Sequence, residues 1–365
     1  MLDVAVVGGG PAGLALAIEA RRRDLTVAVF DRREPPIDKP CGEGLMPGAM
    51  ARLAALGVHP AGHLLRGLTY RDAHCRVSAP FPGAPGRGVR RTELHRALVE
   101  AAERAGAELH WKARIDGLDD GSGNGARHFS EPRLALRGGG SVRARWVVGA
   151  DGLRSDVRRW EGLDGPSADR RRFGVRRHYR VRPWSDHVEV WWSQGAEAYV
   201  TPVGPLEVGV AVLWESSEAE ATGGGFESSL AHFPALSRRL DGAQPTSTDR
   251  GCGPLRQQVA GVARGHVALV GDAAGYVDAI TGEGIALALE AAACLADALV
   301  RGDLNPYAGA RRQIVARADR LALRLLFFSR HPRLRAGALR TLSLAPALFE
   351  RSVGSHLNRQ VPTWT

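Results

Sequence analysis

The chain opens on Asp3-Val4-Ala5-Val6-Val7-Gly8-Gly9-Gly10-Pro11-Ala12-Gly13, and this stretch decides its fold. Residues 3–7 read as a short buried strand, and Leu14 to Arg23 follow with helical character. Residues 26–30 form a second apolar strand that ends at Asp31, which completes a βαβ unit. Gly8-x-Gly10-x-x-Gly13 lies between the first strand and the helix. The first glycine permits the tight turn, the second lets backbone approach a pyrophosphate, and the third allows close helix–strand packing. The phosphates then sit at a helix N-terminus, where free N–H groups and the dipole favour anions. Asp31 can accept hydrogen bonds from both ribose hydroxyls and would repel a 2′-phosphate. The expected ligand is therefore FAD or NAD, not NADP. A bare glycine turn is the competing reading, and the strand, helix and acid around the motif argue against it.

With 365 residues, 44% hydrophobic and 24% charged, the chain has ordinary globular composition and length for about two domains. Cys41, Cys75, Cys252 and Cys294 are scattered without metal-site spacing, so neither a disulfide framework nor a metal site is expected. No stretch reaches the roughly 18 apolar residues of a membrane span, and no signal peptide opens the chain, so a cytoplasmic protein is expected. The net charge of +10 comes from arginine, since lysine occurs only at Lys39 and Lys112. The arginines are spread along the chain without interleaved stacking aromatics, which argues against nucleic acid.

Further on, residues 92–106 carry helical periodicity and residues 145–150 a buried strand that delivers Asp151. Gly- and Ser-rich segments at 120–125 and 138–141 read as hairpin loops. Residues 172–214 alternate as half-buried antiparallel strands, a second layer. Residues 267–270 are a buried strand ending at Gly271-Asp272, and a long helix starts near Gly284 and runs to about Val300. From Arg311 the chain is helical, with breakers at Pro332 and Pro346. Leu321, Leu325 and Phe328 form an apolar stripe among many arginines. That stripe is read as packing on the substrate domain, with peripheral contact to anionic lipid as the alternative.

Two more glycine motifs carry chemistry. Gly271-Asp272-Ala273-Ala274-Gly275 follows a buried strand and offers a carboxylate to a sugar-alcohol chain. Gly282-Glu283-Gly284-Ile285 opens the long helix, whose N-terminal N–H groups suit the anionic edge of a reduced flavin.

In this order the motifs resemble the FAD-dependent enzymes of the p-hydroxybenzoate hydroxylase fold, which include aromatic monooxygenases, flavin halogenases and geranylgeranyl reductases. The matching residues are Gly8–Gly13, Asp31, Asp151-Gly152 with Ser155 and Arg158, Gly271-Asp272 and Thr281–Ile285. The resemblance implies an α/β fold: a Rossmann-type FAD-binding domain over 1–165 and 255–310, with 66–90 contributing to the substrate side. An antiparallel-sheet substrate domain then spans 166–254, and C-terminal helices 311–365. It implies FAD contacts from Gly8, Gly10, Pro11, Ala12, Gly13, Asp31, Arg32, Arg91, Asp151, Asp272, Gly282, Glu283, Gly284 and Ile285. Lys39–Pro47 resembles a segment that lies beside the flavin in geranylgeranyl reductases and secondary-metabolite hydroxylases. This adds Cys41 and Gly42, although Cys41 also reads as a small buried thiol.

The Trp-x-Trp-x-Ile-Pro signature of halogenases is absent. The aromatic-rich lipid motif of geranylgeranyl reductases is also absent, and Tyr199–Gly204 stands in its region. The expectation is a monooxygenase that uses NAD(P)H as transient reductant and O₂ to hydroxylate an aromatic or polyketide substrate in secondary metabolism. The alternative is a prenyl double-bond reductase, and a non-catalytic flavoprotein is a third reading. Catalytic candidates are Cys41, Tyr199, Trp191 and His178. Trp191 and Trp192 alternate, so only one of them can face the cavity.

Overall fold

The computed structural model describes residues 2–119, 131–167, 171–215 and 225–357. The glycine-rich loop at 120–125 lies outside the described residues. The first strand β1 (Leu2–Val7) is buried from Val4 onward and pairs in parallel with β2 (Val27–Asp31). Helix α1 (Pro11–Arg21) connects them, with proline in its first turn and no side-chain cap at Gly10. Its first N–H groups therefore stay open to a ligand.

Three further strands extend this sheet in parallel, β5 (Glu108–Trp111), β6 (Ser141–Gly149) and β11 (Val267–Leu269). The order is β11–β6–β1–β2–β5. A parallel sheet must be covered on both faces. Its core joins Val4, Val6, Val29 and Val148 to α1, α2 (Arg91–Arg104) and α3 (Gly284–Arg301). Residues 138–140 turn between the antiparallel strands 133–136 and 141–149, each glycine at positive φ.

The second sheet runs β7 (Arg172–Arg180), β10 (Glu207–Glu215), β9 (Ala196–Gly204), β8 (His187–Trp192), β3 (Gly67–Arg71) and β4 (Arg76–Pro80). All neighbours are antiparallel except β8 and β3. One face packs Trp191, Val200 and Val210 against two short helices at 226–230 and 234–239. The other face, with Val188, Val190 and Trp192, joins Met46 and Ile280. It is covered by the C-terminal helices α4 (Asn305–Arg330), α5 (Pro332–Leu344) and α6 (Pro346–Leu357). Pro332 and Pro346 each open a helix, where a missing N–H costs nothing. No helix of the described residues is long and apolar enough to cross a membrane. No group of three or more His, Cys, Asp or Glu among them could hold a metal ion.

Candidate functional site

A cavity of 600 Å³ opens between the two sheets. Its polar end is built from the first glycine motif. Gly8 has φ +113°, and a Cβ there would fall 2.4 Å from the Ala150 carbonyl oxygen, so the turn requires glycine. Gly13 lets α1 approach, since its Cβ would lie 2.0 Å from the Gly8 oxygen. A Cβ on Gly10 meets nothing within 4 Å, so the space above it belongs to the cavity. Asp31 sits at the tip of β2, where its carboxylate accepts from the Gly9 N–H at 2.9 Å and the Arg33 guanidinium at 3.0 Å. Burial pushes its pKa up, but the bonds from Arg33 outweigh this and the net shift is downward.

Several polar groups along this wall lack partners. Asp151 Oδ2 caps the helix at 156–160 through the Asp156 N–H at 2.7 Å, while its buried Oδ1 has no partner. Arg91 is 4% exposed and its Nη1 is likewise unpartnered. Lys39 faces the same space. Burial and then Arg33 lower its pKa, and Asp272 opposes them. Asp272 stands at the end of the turn after β11, where burial raises its pKa and Lys39 partly offsets this. Buried groups left unsatisfied are costly. A ligand that is anionic at one point and rich in hydroxyls at another would partner the buried Arg91 Nη1 and Asp151 Oδ1 and also meet Lys39 and Asp272. The pyrophosphate, ribose and ribityl chain of FAD have that chemistry, so these residues fit FAD. Thr281, Gly282, Gly284 and Ile285 complete the wall at the start of α3.

The other end of the cavity is apolar, lined by Met46, Leu68, Val188, Val190, Leu213 and Ile280. Tyr199 also lines it, its hydroxyl donating to the Ile280 carbonyl at 2.9 Å. A smaller cavity of 210 Å³ adjoins it past Asp272, Tyr276 and Thr281, between α3 and α4.

A family profile described as an FAD binding domain matches residues 1–302. The chain belongs to this FAD-binding domain family. Menaquinone reductase of Mycobacterium tuberculosis (strain ATCC 25618 / H37Rv) is 32% identical to it over 326 residues, spanning 83% of this chain and 77% of that protein. Digeranylgeranylglycerophospholipid reductase of Thermoplasma acidophilum is 27% identical over 328 residues, 83% of this chain and 80% of that one. Among solved structures, a flavoprotein/dehydrogenase from Cytophaga hutchinsonii superposes with a TM-score of 0.81 at 17% identity, covering 98% of this chain and 92% of that one. The myxobacterial chondrochloren halogenase gives 0.76 at 19% identity, covering 97% and 92%. At these identities the structural likenesses show the fold. The FAD-binding chain is an FAD-dependent oxidoreductase.

Of the residues singled out by sequence, Gly8, Gly10, Pro11, Ala12, Asp31, Arg32, Cys41, Gly42, Arg91, Asp151, Asp272, Gly282, Gly284, Ile285 and Tyr199 line the cavity. Four others do not. Gly13 packs against the first turn. Glu283 points away, its Oε2 2.7 Å from His356 Nε2 on α6. Trp191 lies on the sheet face turned to the short helices, under the Arg71 guanidinium, and its indole N–H donates to Glu189. Trp192 has the right face but packs edge-on to Tyr70 in the core beside the cavity. His178 is fully buried behind the wall. It takes a hydrogen bond from Arg176 at 2.8 Å on Nδ1, and its Nε2 lies 2.5 Å from Glu43 Oε2. Glu43 does line the cavity and adopts φ +58°, held by His178 and the Arg91 N–H at 2.7 Å. His178 thus acts on the cavity only through Glu43.

Lys39 and Glu43 lie in the segment expected beside the flavin but carry no role in the sequence reading, and Tyr70, Tyr276 and His95 are absent from it. Lys39 carried a signal, being one of two lysines in an arginine-rich chain. His95 gave none. From α2 its Nε2 donates to the Gly9 carbonyl at 2.8 Å and so props the glycine turn from behind. Burial, then Arg91, pushes its pKa down to about 4. Cys41 and Cys252 both line the cavity as thiols, raised by burial, Cys252 to about 11, so neither is an activated thiolate.

Proposed function

We propose that the chain is a reductase that saturates a carbon–carbon double bond in the isoprenoid chain of a prenylated lipid. The observation that carries this reading is the aliphatic end of the cavity, where Met46, Leu68, Val188, Val190, Leu213 and Ile280 meet. The Tyr199 hydroxyl there is already bonded to the Ile280 carbonyl. Against these aliphatic side chains a substrate hydroxyl that finds no partner costs about 1–3 kcal/mol. An isoprenoid chain gains from them at about 25 cal/mol per Å² of apolar surface buried. The two reductase relatives support the same choice. One name specifies a quinone, the other a glycerophospholipid, and the group those molecules share is the isoprenoid chain.

In this reading the open N-terminus of α1 and Gly8–Ala12 hold the pyrophosphate, and Asp31 the adenosine ribose. Arg91, Lys39 and Asp272 hold the ribityl and phosphate groups. Thr281–Ile285 meet the pyrimidine edge with the N-terminal end of α3. Reduced FAD held there would supply hydride chemistry toward one alkene carbon, the other taking a proton. The chain's part is to exclude water from the apolar end and fix the alkene in place. NAD(P)H serves as a transient reductant from solution, since the described residues contain one parallel sheet and one glycine fingerprint, both assigned to FAD.

The FAD-loaded protein, given a reductant and a geranylgeranyl lipid with oxygen removed, should yield a product heavier by two hydrogens in mass spectrometry. No conversion without oxygen, with hydroxylation once it is admitted, would overturn the reading and restore a monooxygenase.

A further inference from the structure

We infer that the outer face of α4, α5 and α6 docks on an anionic phospholipid bilayer, an inference that rests on the prenyl-lipid reading for its purpose but not for its observations. Most exposed large hydrophobic side chains of the described residues lie here: Leu323, Phe327, Leu334, Leu344 and Leu348, with Phe327 49% and Leu344 81% exposed. Residues 305–357 hold ten arginines against two carboxylates, Asp319 and Glu350, a surplus of eight out of the chain's +10.

The two features share one surface. On α4, Arg320, Leu323, Arg324 and Phe327 recur at three- and four-residue spacing, which places them on one stripe. On α5, Arg333, Arg340 and Leu344 lie seven and four residues apart, again along one stripe, and α6 adds Leu348 and Arg351. Arg320, Arg324, Arg333 and Arg340 are exposed and make no ion pair to a described residue.

The inner faces of these helices are already spent. Leu326, Leu339, Phe349 and Val353 pack into the cluster that contains Met46, Val188 and Val190, three residues of the cavity wall. The Phe349 ring lies 5.1 Å from that of Tyr70, another wall residue. The exposed stripe is therefore one helix layer from the apolar end of the cavity, where a lipid leaving a bilayer would need to arrive.

Charge decides the occupant. A second copy would set two such arginine-rich faces against each other, which like-charge repulsion opposes. Nucleic acid would meet the arginines but leave the leucines and Phe327 in water. A bilayer takes both: headgroup phosphates pair with guanidinium groups, and the apolar side chains enter the acyl boundary. The contact is peripheral, because none of these helices is long and apolar enough to span.

The test is flotation of FAD-loaded protein with vesicles, in the absence of reductant and substrate. Vesicles of phosphatidylglycerol and phosphatidylcholine in roughly equal parts should carry the protein at about 0.1 M salt, where the Debye length is about 10 Å. Pure phosphatidylcholine should not. The double change Arg320→Gln/Arg324→Gln should lower partitioning about 30-fold. Leu323→Ser/Phe327→Ser should also lower it, with FAD content and circular dichroism unchanged. Equal binding to both vesicle types, or variants that bind as the parent does, would overturn the inference. So would a stable dimer that Phe327→Ser dissociates. A protein that floats with anionic vesicles yet leaves prenyl chains unreduced refutes the function alone. One that reduces a detergent-dispersed lipid and ignores vesicles refutes the docking alone.

Discussion

Gly10→Ala separates what the fold requires of the first glycine motif from what the ligand requires. Gly10 has φ −80° and ψ −178°, which any residue adopts, and its Cβ would meet no protein atom within 4 Å. Gly8 and Gly13 differ, since each Cβ would collide with backbone oxygen. Folding therefore gives no reason for glycine at position 10. Replacing it restricts the unfolded chain, worth about 0.4–1 kcal/mol in favour of the fold. Alanine is also a poorer N-cap than glycine, which cancels much of that gain. The apoprotein should stay within about 0.5 kcal/mol of the parent by either bookkeeping. FAD should not tolerate the change, because the new methyl stands where the pyrophosphate approaches the open N–H groups of α1. One charge-assisted hydrogen bond lost is worth about 1.5–3 kcal/mol, which raises Kd about 10- to 150-fold. Titration of apoprotein with FAD, read by flavin fluorescence, gives the Kd, and thermal melts of both apoproteins give the stability. A Kd within about twofold of the parent would refute the placement of the pyrophosphate.

Three further changes test other parts of the account. Asp272→Ala removes an acceptor aimed into the cavity and should weaken FAD retention by about 1.5–3 kcal/mol; unchanged flavin content after dialysis would count against that role. His95 is held neutral in the fold, down from an ordinary 6.5 to about 4. The unfolded chain therefore takes up a proton that the fold refuses. Stability should be complete above pH 6.5 and drain by about 3 kcal/mol toward pH 4. His95→Gln should flatten that slope in denaturant titrations across the same range, and an unchanged slope would show the imidazole is not its source. Arg172→Met leaves Glu197, fully buried, and Asp278 without their shared guanidinium at 2.7 and 2.9 Å. Urea unfolding should show a loss of about 3–5 kcal/mol, and a loss under about 1 kcal/mol would mean the triad is not stabilising as drawn.

The first βαβ unit and the helix at Gly284 were legible because each couples a clear period to a glycine whose backbone role has a physical reason. The C-terminal breakers were legible for the same cause, proline being intolerable inside a helix but suited to its first turn. What sequence could not give is which side of the second sheet faces the cavity. Alternation separates Trp191 from Trp192, yet the packing of the short helices at 226–230 and 234–239 decides that Trp191 is turned away. Likewise β3, with β4 hairpinned onto it, joins the sheet through a partner about 120 residues later, and no local pattern announces the parallel pairing of Gly67–Arg71 with β8. His178 was a reasonable candidate as a histidine on a strand. Its distance from the cavity depends on Glu43, a carboxylate in a left-handed conformation that no period predicts. Glu283 was carried into the site with its neighbours, but its bond to His356 on α6 is a contact between segments far apart in sequence.

The central claim is reduction of an isoprenoid double bond, and one measurement bears on it most directly. The FAD-loaded protein is supplied with reductant and a geranylgeranyl lipid under isotopically labelled oxygen, and the product mass is read. The account predicts a product heavier by two hydrogens and free of label, formed equally well when oxygen is withdrawn. A product that carries one labelled oxygen atom, and that disappears without oxygen, would contradict it.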